Sequence, residues 1–142
     1  MKRMVVGFNF SEDRKKVLLI VKQKPEWQNG MLNGVGGHVG EEETLKKAMR
    51  REFEEETGVV TQVSEWDHYC TYIGNEWAVS FFRRFTEYNI DHYHKLIVEV
   101  EQLEVYPVEG ITEVMNLIPN LKWLIHAALD KNIQFMEVRC PS

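Results

Sequence analysis

Cysteine is scarce in this chain of 142 residues: Cys70 and Cys140 stand alone and far apart. Two such thiols provide neither a disulfide framework nor the paired spacing of a thiolate metal site, so both are expected to be reduced. Positive charge is also short. Lys and Arg number 17 against 22 Asp and Glu, for a net charge of −5 at pH 7. A protein that grips a nucleic-acid polymer needs a basic footprint, and none is present. No apolar run approaches the length of a bilayer span, and the N-terminal MKRMVVGFNF turns polar too soon for a signal peptide. A soluble, cytoplasmic protein without membrane partners is the expectation. Repeats, low-complexity segments and linkers are lacking too. The length then argues for one domain over residues 1–142, and 44% apolar residues suffice for a core.

Residues 4–10 and 16–21 are rich in β-formers around a Ser11-Glu12-Asp13 turn and predict a hairpin. Pro25, Asn29 and Gly30 mark residues 23–33 as a loop, and three glycines in residues 32–37 would let backbone approach a ligand or metal closely. Residues 59–72 and 77–85 predict a second hairpin about Gly74-Asn75. Residues 87–95 are polar and loop-like, and residues 96–108 return to β character. Residues 116–130 carry Leu117, Leu121, Leu124, Ile125, Ala128 and Leu129 at helical spacing, with Asn120 as a cap. The tail from Lys131 is unassigned. Strands and helices alternate, an α/β (α+β) pattern whose topology composition alone does not decide.

The informative stretch is residues 37–59, GHVGEEETLKKAMRREFEEETGV, with seven Glu between Glu41 and Glu56. Thr44 is a good N-cap and Gly58 a good stop, so residues 44–57 predict a helix. With Leu45 at zero and about 100° per residue, Ala48, Met49 and Phe53 fall at about −60°, +40° and +80°, a core-facing stripe. Lys46, Lys47, Arg50 and Glu54 take the far side. A solvated acidic face would place every Glu there. Instead Glu52 and Glu56 land at about −20° and +20°, inside the stripe, with Glu55 beside them at about −80°. Carboxylates at i, i+3 and i+4 repel one another, and partial burial raises the cost to several kcal/mol unless a cation neutralises them. Clustered hard oxygen donors suit Mg²⁺ or Mn²⁺, whose remaining ligands are commonly water and substrate phosphate.

Gly37, Glu43, Arg51, Glu52, Phe53, Glu55, Glu56, Gly58 and Val59 follow the spacing G-x5-E-x7-R-E-U-x-E-E-x-G-U, with U apolar. This resembles the Nudix box, complete at every defining position. The resemblance implies a mixed β-sheet sandwiched between helices, in a single Nudix domain. It also implies hydrolysis of a nucleoside diphosphate linked to another group, by water attacking phosphorus. By the same match Glu52, Glu55 and Glu56 are the metal ligands, joined by the Gly37 carbonyl, and Mg²⁺ or Mn²⁺ is the cofactor. Arg51 would orient these glutamates by a bidentate pair, with Glu43 as its partner. Relatives differ in the general base, either a box Glu or one on a later loop. Glu99, Glu101 and Glu104 are the outside options, though a plain surface role suits each better. Gly40 and Glu42 exchange the residue types that many relatives carry, which touches loop geometry rather than catalysis.

Residues 33–37, NGVGG, are similar to the segment entering the box of triphosphatases that clear oxidised nucleotides, which makes Asn33 a base-contact residue or a turn Asn. Leu32 replaces the Trp that precedes that Asn there. Trp27 and Trp123 are candidates to stack on a base. Trp123 lies on or beside the late helix's apolar stripe, so core packing is its stronger reading. His38 would sit beside the metal site, within reach of phosphate. The prolines are Pro25, Pro107, Pro119 and Pro141, so none lies where ADP-ribose-cleaving relatives carry one after the box. A (d)NTP cleaved to (d)NMP and pyrophosphate is therefore the leading substrate. ADP-ribose, a dinucleoside polyphosphate or an NDP-sugar is the alternative, and a non-catalytic nucleotide sensor is the reading from another class. The partners expected are a small nucleotide and, at most, a second copy in a homodimer.

Overall fold

The computed structural model describes residues 1–87, 90 and 102–141. Within them eight strands form one mixed sheet: β1 (Lys2–Ser11), β2 (Lys16–Val21), β3 (Leu32–Asn33), β4 (Val35–His38), β5 (Asp67–Ile73), β6 (Trp77–Thr86), β7 (Gln102–Pro107) and β8 (Met136–Arg139). Two helices, α1 (Leu45–Thr57) and α2 (Leu121–Leu129), pack on its faces. The order along the sheet is β3-β2-β1-β6-β5-β8, with β4 added to β1 and β7 to β2. β1 lies parallel to β6 along its whole length, from Lys2 opposite Trp77 to Ser11 opposite Thr86.

The other side of β1 is shared. Asn9 and Phe10 pair with β2, whereas Met4 to Gly7 pair antiparallel with β4. Two neighbours on one edge must splay apart, and this fork places the end of β4 beside α1. Side chains alternate across β1 as a strand requires. Val6, Phe8 and Phe10 enter the core with Leu121, Leu124 and Ile125 of α2. Val5 enters a second core with Ala48, Met49, Phe53 and Trp66. The expected sandwich is therefore present, one helix to each face.

The ends of α1 fall where the residue chemistry put them. Thr44 is the N-cap, its side chain accepting from the Lys47 N–H, and Gly58 closes the helix at φ 78° with its N–H on the Glu54 carbonyl. Ala48, Met49 and Phe53 are fully buried. Burying the Met and Phe side chains contributes about 1.5–3 kcal/mol each. Phe53 meets Trp66 edge-on, with ring centroids 5.1 Å apart. Beneath it the Arg84 guanidinium donates to Asn9 and Glu65.

Several expectations are corrected. The loop expected over residues 23–33 ends early, since Leu32–Asn33 form β3, and Val35–His38 follow as β4, where a side chain at Gly34 or Gly36 would collide with β1 backbone. The predicted strand 59–72 contracts to Asp67–Ile73, preceded by a 3₁₀ turn at Val63–Glu65. The late helix starts at Leu121, after the expected cap Asn120, and of the apolar positions read at helical spacing Leu117 lies outside it, where it and Ile118 are drawn into pairing with Leu32. Asn120 occupies the cap position without a capping bond. The unassigned tail supplies β8, parallel to β5. Most of the loop predicted over 87–95 and the strand predicted over 96–101 lie outside the described residues. Among those described, no helix is long and apolar enough to cross a membrane.

Candidate active site

Arg51 is the hub of the box. Its Nε donates to Glu43 Oε2 at 2.8 Å and its Nη2 to Glu43 Oε1 at 2.9 Å, a bidentate pair. Nη2 also donates to the His38 carbonyl at 2.9 Å. Nη1 donates to Glu52 Oε1 at 2.9 Å and, more loosely, to Glu55 at 3.3 Å. The Gly40 N–H donates to Glu43 Oε1 as well, so one guanidinium ties the end of β4 and the following loop to α1. The pairing holds the Glu43 carboxyl down at about 2.

Glu52 behaves differently. Its side chain is only 12% exposed. Burial pushes its pKa above the usual carboxylate range, the Arg51 guanidinium opposes this, and the negative charges of Glu55 and Glu43 add to the rise. β4 explains where that carboxylate can lie. A Cβ on Gly37 would fall 2.5 Å from the Glu52 carboxyl, so only glycine leaves room for it. Glu55 and Glu56 follow on the same helix, both partly exposed.

Glycine backbone beside a half-buried carboxylate, flanked by further carboxylates, is a donor set that fits a hard divalent cation. In the conformation described, Arg51 supplies the neutralising charge for Glu43, Glu52 and Glu55. Among the described residues, no three His, Cys, Asp or Glu side chains converge closely enough to form a ready-made cage.

On the opposite face of the sheet, a cavity of about 650 Å³ opens against β4. Trp27, Asn33, Gly37 and His38 all line it, so the fold gathers four of the sequence-derived site residues at one place. Asn33 holds a turn as well, its Oδ1 accepting from the Gly34 N–H at 2.7 Å and its Nδ2 donating to Gln28. Trp27 is 66% exposed at the rim. Trp123 is not a core residue: it is 41% exposed and stacks on Tyr72, with centroids 5.8 Å apart. It thus backs a cavity wall, because Tyr72 is itself part of the lining.

Glu104 is not brought to the box. On β7, Leu103 and Val105 face the α1 core, so Glu104 points to the other side, where it accepts from the Tyr106 hydroxyl at 2.6 Å. Glu99 and Glu101 lie outside the described residues. Tyr72 and Asn120 were missed from sequence. Asn120 donates to the Tyr72 hydroxyl, and burial pushes the Tyr72 pKa up to about 12. Asn120 Oδ1 is buried and accepts no hydrogen bond. Also missed were Lys2, Lys22 and Lys24, which reach the cavity from two separate segments. The one available signal was their positive charge in a chain short of it.

The sandwich fold and the arginine-stapled glutamate helix define the Nudix hydrolase class, whose members use divalent metal ions. The NUDIX domain family model matches residues 1–125, and the chain belongs to that family. Its fold is similar to that of a NUDIX hydrolase from Nitrosomonas europaea, at TM-score 0.75 and 18% identity over 99% of this chain and 79% of that one. The NUDIX domain of Shewanella oneidensis NrtR, in complex with ADP ribose, aligns at TM-score 0.71 and 22% identity over 87% and 83% of the two chains. A MutT structure from work on Aliivibrio salmonicida and Vibrio cholerae aligns at TM-score 0.71 and 18% identity over 90% and 96%. At these identities the likeness speaks for the fold alone. No curated protein sequence matches the chain.

Proposed function

We propose that the protein hydrolyses a nucleoside triphosphate to the nucleoside monophosphate and pyrophosphate, with Mg²⁺ as its ion and Mn²⁺ as a substitute. The observation that carries this reading is the position of Gly37. It abuts the Glu52 carboxyl and also lines the cavity, so phosphates held at the helix continue directly into a pocket of nucleotide size.

Glu52, Glu55, Glu56 and the Gly37 carbonyl would hold the ion. When bound, a divalent cation offsets the negative charge that builds on the bridging and leaving oxygens of the anhydride. The chain's own contribution is positioning. Arg51 fixes the direction of the Glu52 and Glu55 carboxylates and anchors the loop behind them through Glu43. A box glutamate is proposed to take the proton of the attacking water; Glu104, on the face of β7 away from the box, is not placed for it. In the cavity Trp27 offers a face for stacking. A nucleobase N–H would satisfy Asn120 Oδ1. His38, where β4 ends, is placed to meet phosphate. The proposed setting is the cytoplasm, with free nucleotides rather than polymers as substrate.

The test is product release from canonical and oxidised dNTPs, NTPs, ADP-ribose, NADH and dinucleoside polyphosphates, each with Mg²⁺, Mn²⁺ or EDTA. Metal-dependent pyrophosphate release from one triphosphate well above the rest is expected. Cleavage of ADP-ribose or dinucleotides alone would overturn the substrate and keep the chemistry. No cleavage of any compound would leave a nucleotide sensor.

A further inference from the structure

Among the described residues β8 is the last strand on its side of the sheet, running parallel to β5 from Met136 opposite Cys70 to Arg139 opposite Ile73. Its own hydrogen bonds decide which backbone groups it turns outward. The Cys140 N–H donates to the Ile73 carbonyl at 2.8 Å. Alternate residues of a strand turn their N–H and C=O to the same neighbour, so Val138 shares the β5 side with Cys140, whereas Glu137 and Arg139 turn theirs to the open edge. The side chains of Met136 and Val138 pack against the core that holds α2, and those of Glu137 and Arg139 are exposed. There Arg139 Nη2 meets Glu137 Oε2 at 2.8 Å. A sheet edge is often blunted by charges that repel a second strand. Here the two exposed charges are opposite in sign and two residues apart, and Pro141, with no N–H to donate, bounds the edge immediately beyond them.

We infer that this edge pairs with the same edge of a second copy, antiparallel about a twofold axis at Val138, so that two sheets join into one. Only outward-turned residues can exchange backbone bonds, and three registers pair Glu137 and Arg139 among themselves. Glu137 opposite its own copy sets carboxylate against carboxylate. Arg139 opposite its own copy sets two guanidinium groups together and puts Glu137 against Pro141, which cannot donate. The register between these two sets each Glu137 opposite the second copy's Arg139. It gives four backbone bonds and a square of alternating charges on one face. It also sets Val138 on Val138, Met136 on Cys140 and Phe135 on Pro141, so apolar residues meet apolar residues across the seam. A closed twofold interface demands this self-complementarity, and only one register of the three supplies it. The pairing involves neither metal ion nor nucleotide, so it stands or falls independently of the hydrolase reading.

The test is sedimentation equilibrium of the full chain in EDTA and a reductant at low salt, where a monomer–dimer equilibrium with a Kd below about 100 μM is expected. Glu137→Arg and Arg139→Glu each set like charges across the seam and should raise the Kd about tenfold or more. The double variant restores opposite pairs and should return to within about threefold of the wild type, which also separates a broken seam from a broken fold. An equimolar mixture of the two single variants should form a heterodimer, because each then carries the charges the other lacks. Val138→Cys in a Cys140→Ser background should yield a disulfide-linked dimer under mild oxidation, since only the residue on the axis faces its own copy. Monomer alone at loadings up to about 100 μM would overturn the inference. So would a dimer indifferent to both single reversals, or one that neither the double variant nor the mixture recovers. A dimer that yields no Val138→Cys cross-link would overturn the register and with it the proposed seam.

Discussion

The pair between Glu43 and Arg51 allows a stability prediction whose pH dependence is its signature. Glu43→Gln keeps the shape of the side chain and removes its charge. The carboxyl is held at about 2 against a reference of 4.5. At about 1.4 kcal/mol per unit, that difference sets a ceiling of about 3.5 kcal/mol on what the pairing contributes. Arg51 is 38% exposed, so screening by water lowers the expected contribution to about 1–2 kcal/mol. Because the folded pKa lies below the unfolded one, the contribution is complete above about pH 4.5. It fades as the pH falls toward 2, where the native carboxyl also takes a proton. Urea unfolding in EDTA should therefore separate the variant from the wild type by about 1–2 kcal/mol at pH 7, and the gap should close progressively below pH 4.5. In thermal melts the pH 7 gap corresponds to about 3–7 °C for a chain of this size. A gap that stays constant from pH 7 to pH 2.5, or no gap at pH 7, would refute the reasoning. Either would mean that the bond to the His38 carbonyl and the pairs with Glu52 and Glu55 already hold Arg51 in place.

Three further outcomes follow from the same geometry. Glu55→Gln and Glu56→Gln should each lower kcat by about a hundredfold or more with melting temperatures near wild type, and full activity in both would sink the metal assignment. Gly37→Ala places a methyl group against the Glu52 carboxyl. It should cost about 1–3 kcal/mol by urea unfolding while kcat falls more steeply, through the displaced carboxylate, than that loss would suggest. Gly58→Ala forces a side chain to φ 78° and should destabilise by about 1 kcal/mol without changing kcat at 25 °C, measured by calorimetry and a substrate assay in parallel.

The helix α1 and its carboxylate pattern were legible because their determinants are local. Thr44 and Gly58 act within one helical turn, and helical periodicity alone places Glu52 and Glu56 in the stripe with Met49 and Phe53. The hairpins β1–β2 and β5–β6 were readable for the same reason, since a turn joins strands that pair with each other. What could not be read depends on contacts between distant residues. The parallel pairing of β1 with β6 and of β5 with β8 leaves no trace in either strand's own pattern. The glycines of β4 pointed to a close backbone approach, but what they approach, β1 at Gly36 and the Glu52 carboxyl at Gly37, is set by residues distant in sequence. Trp123 followed its helix's apolar stripe, yet its ring came to rest on Tyr72, a residue distant in sequence, and stays partly exposed. Residue chemistry along the chain thus determined the carboxylate-rich helix, where neighbours in sequence are neighbours in space. Folding decided the cavity, because Lys2, Lys24, Tyr72 and Asn120 meet only once a forked sheet and a second helix have closed around the same end of β1.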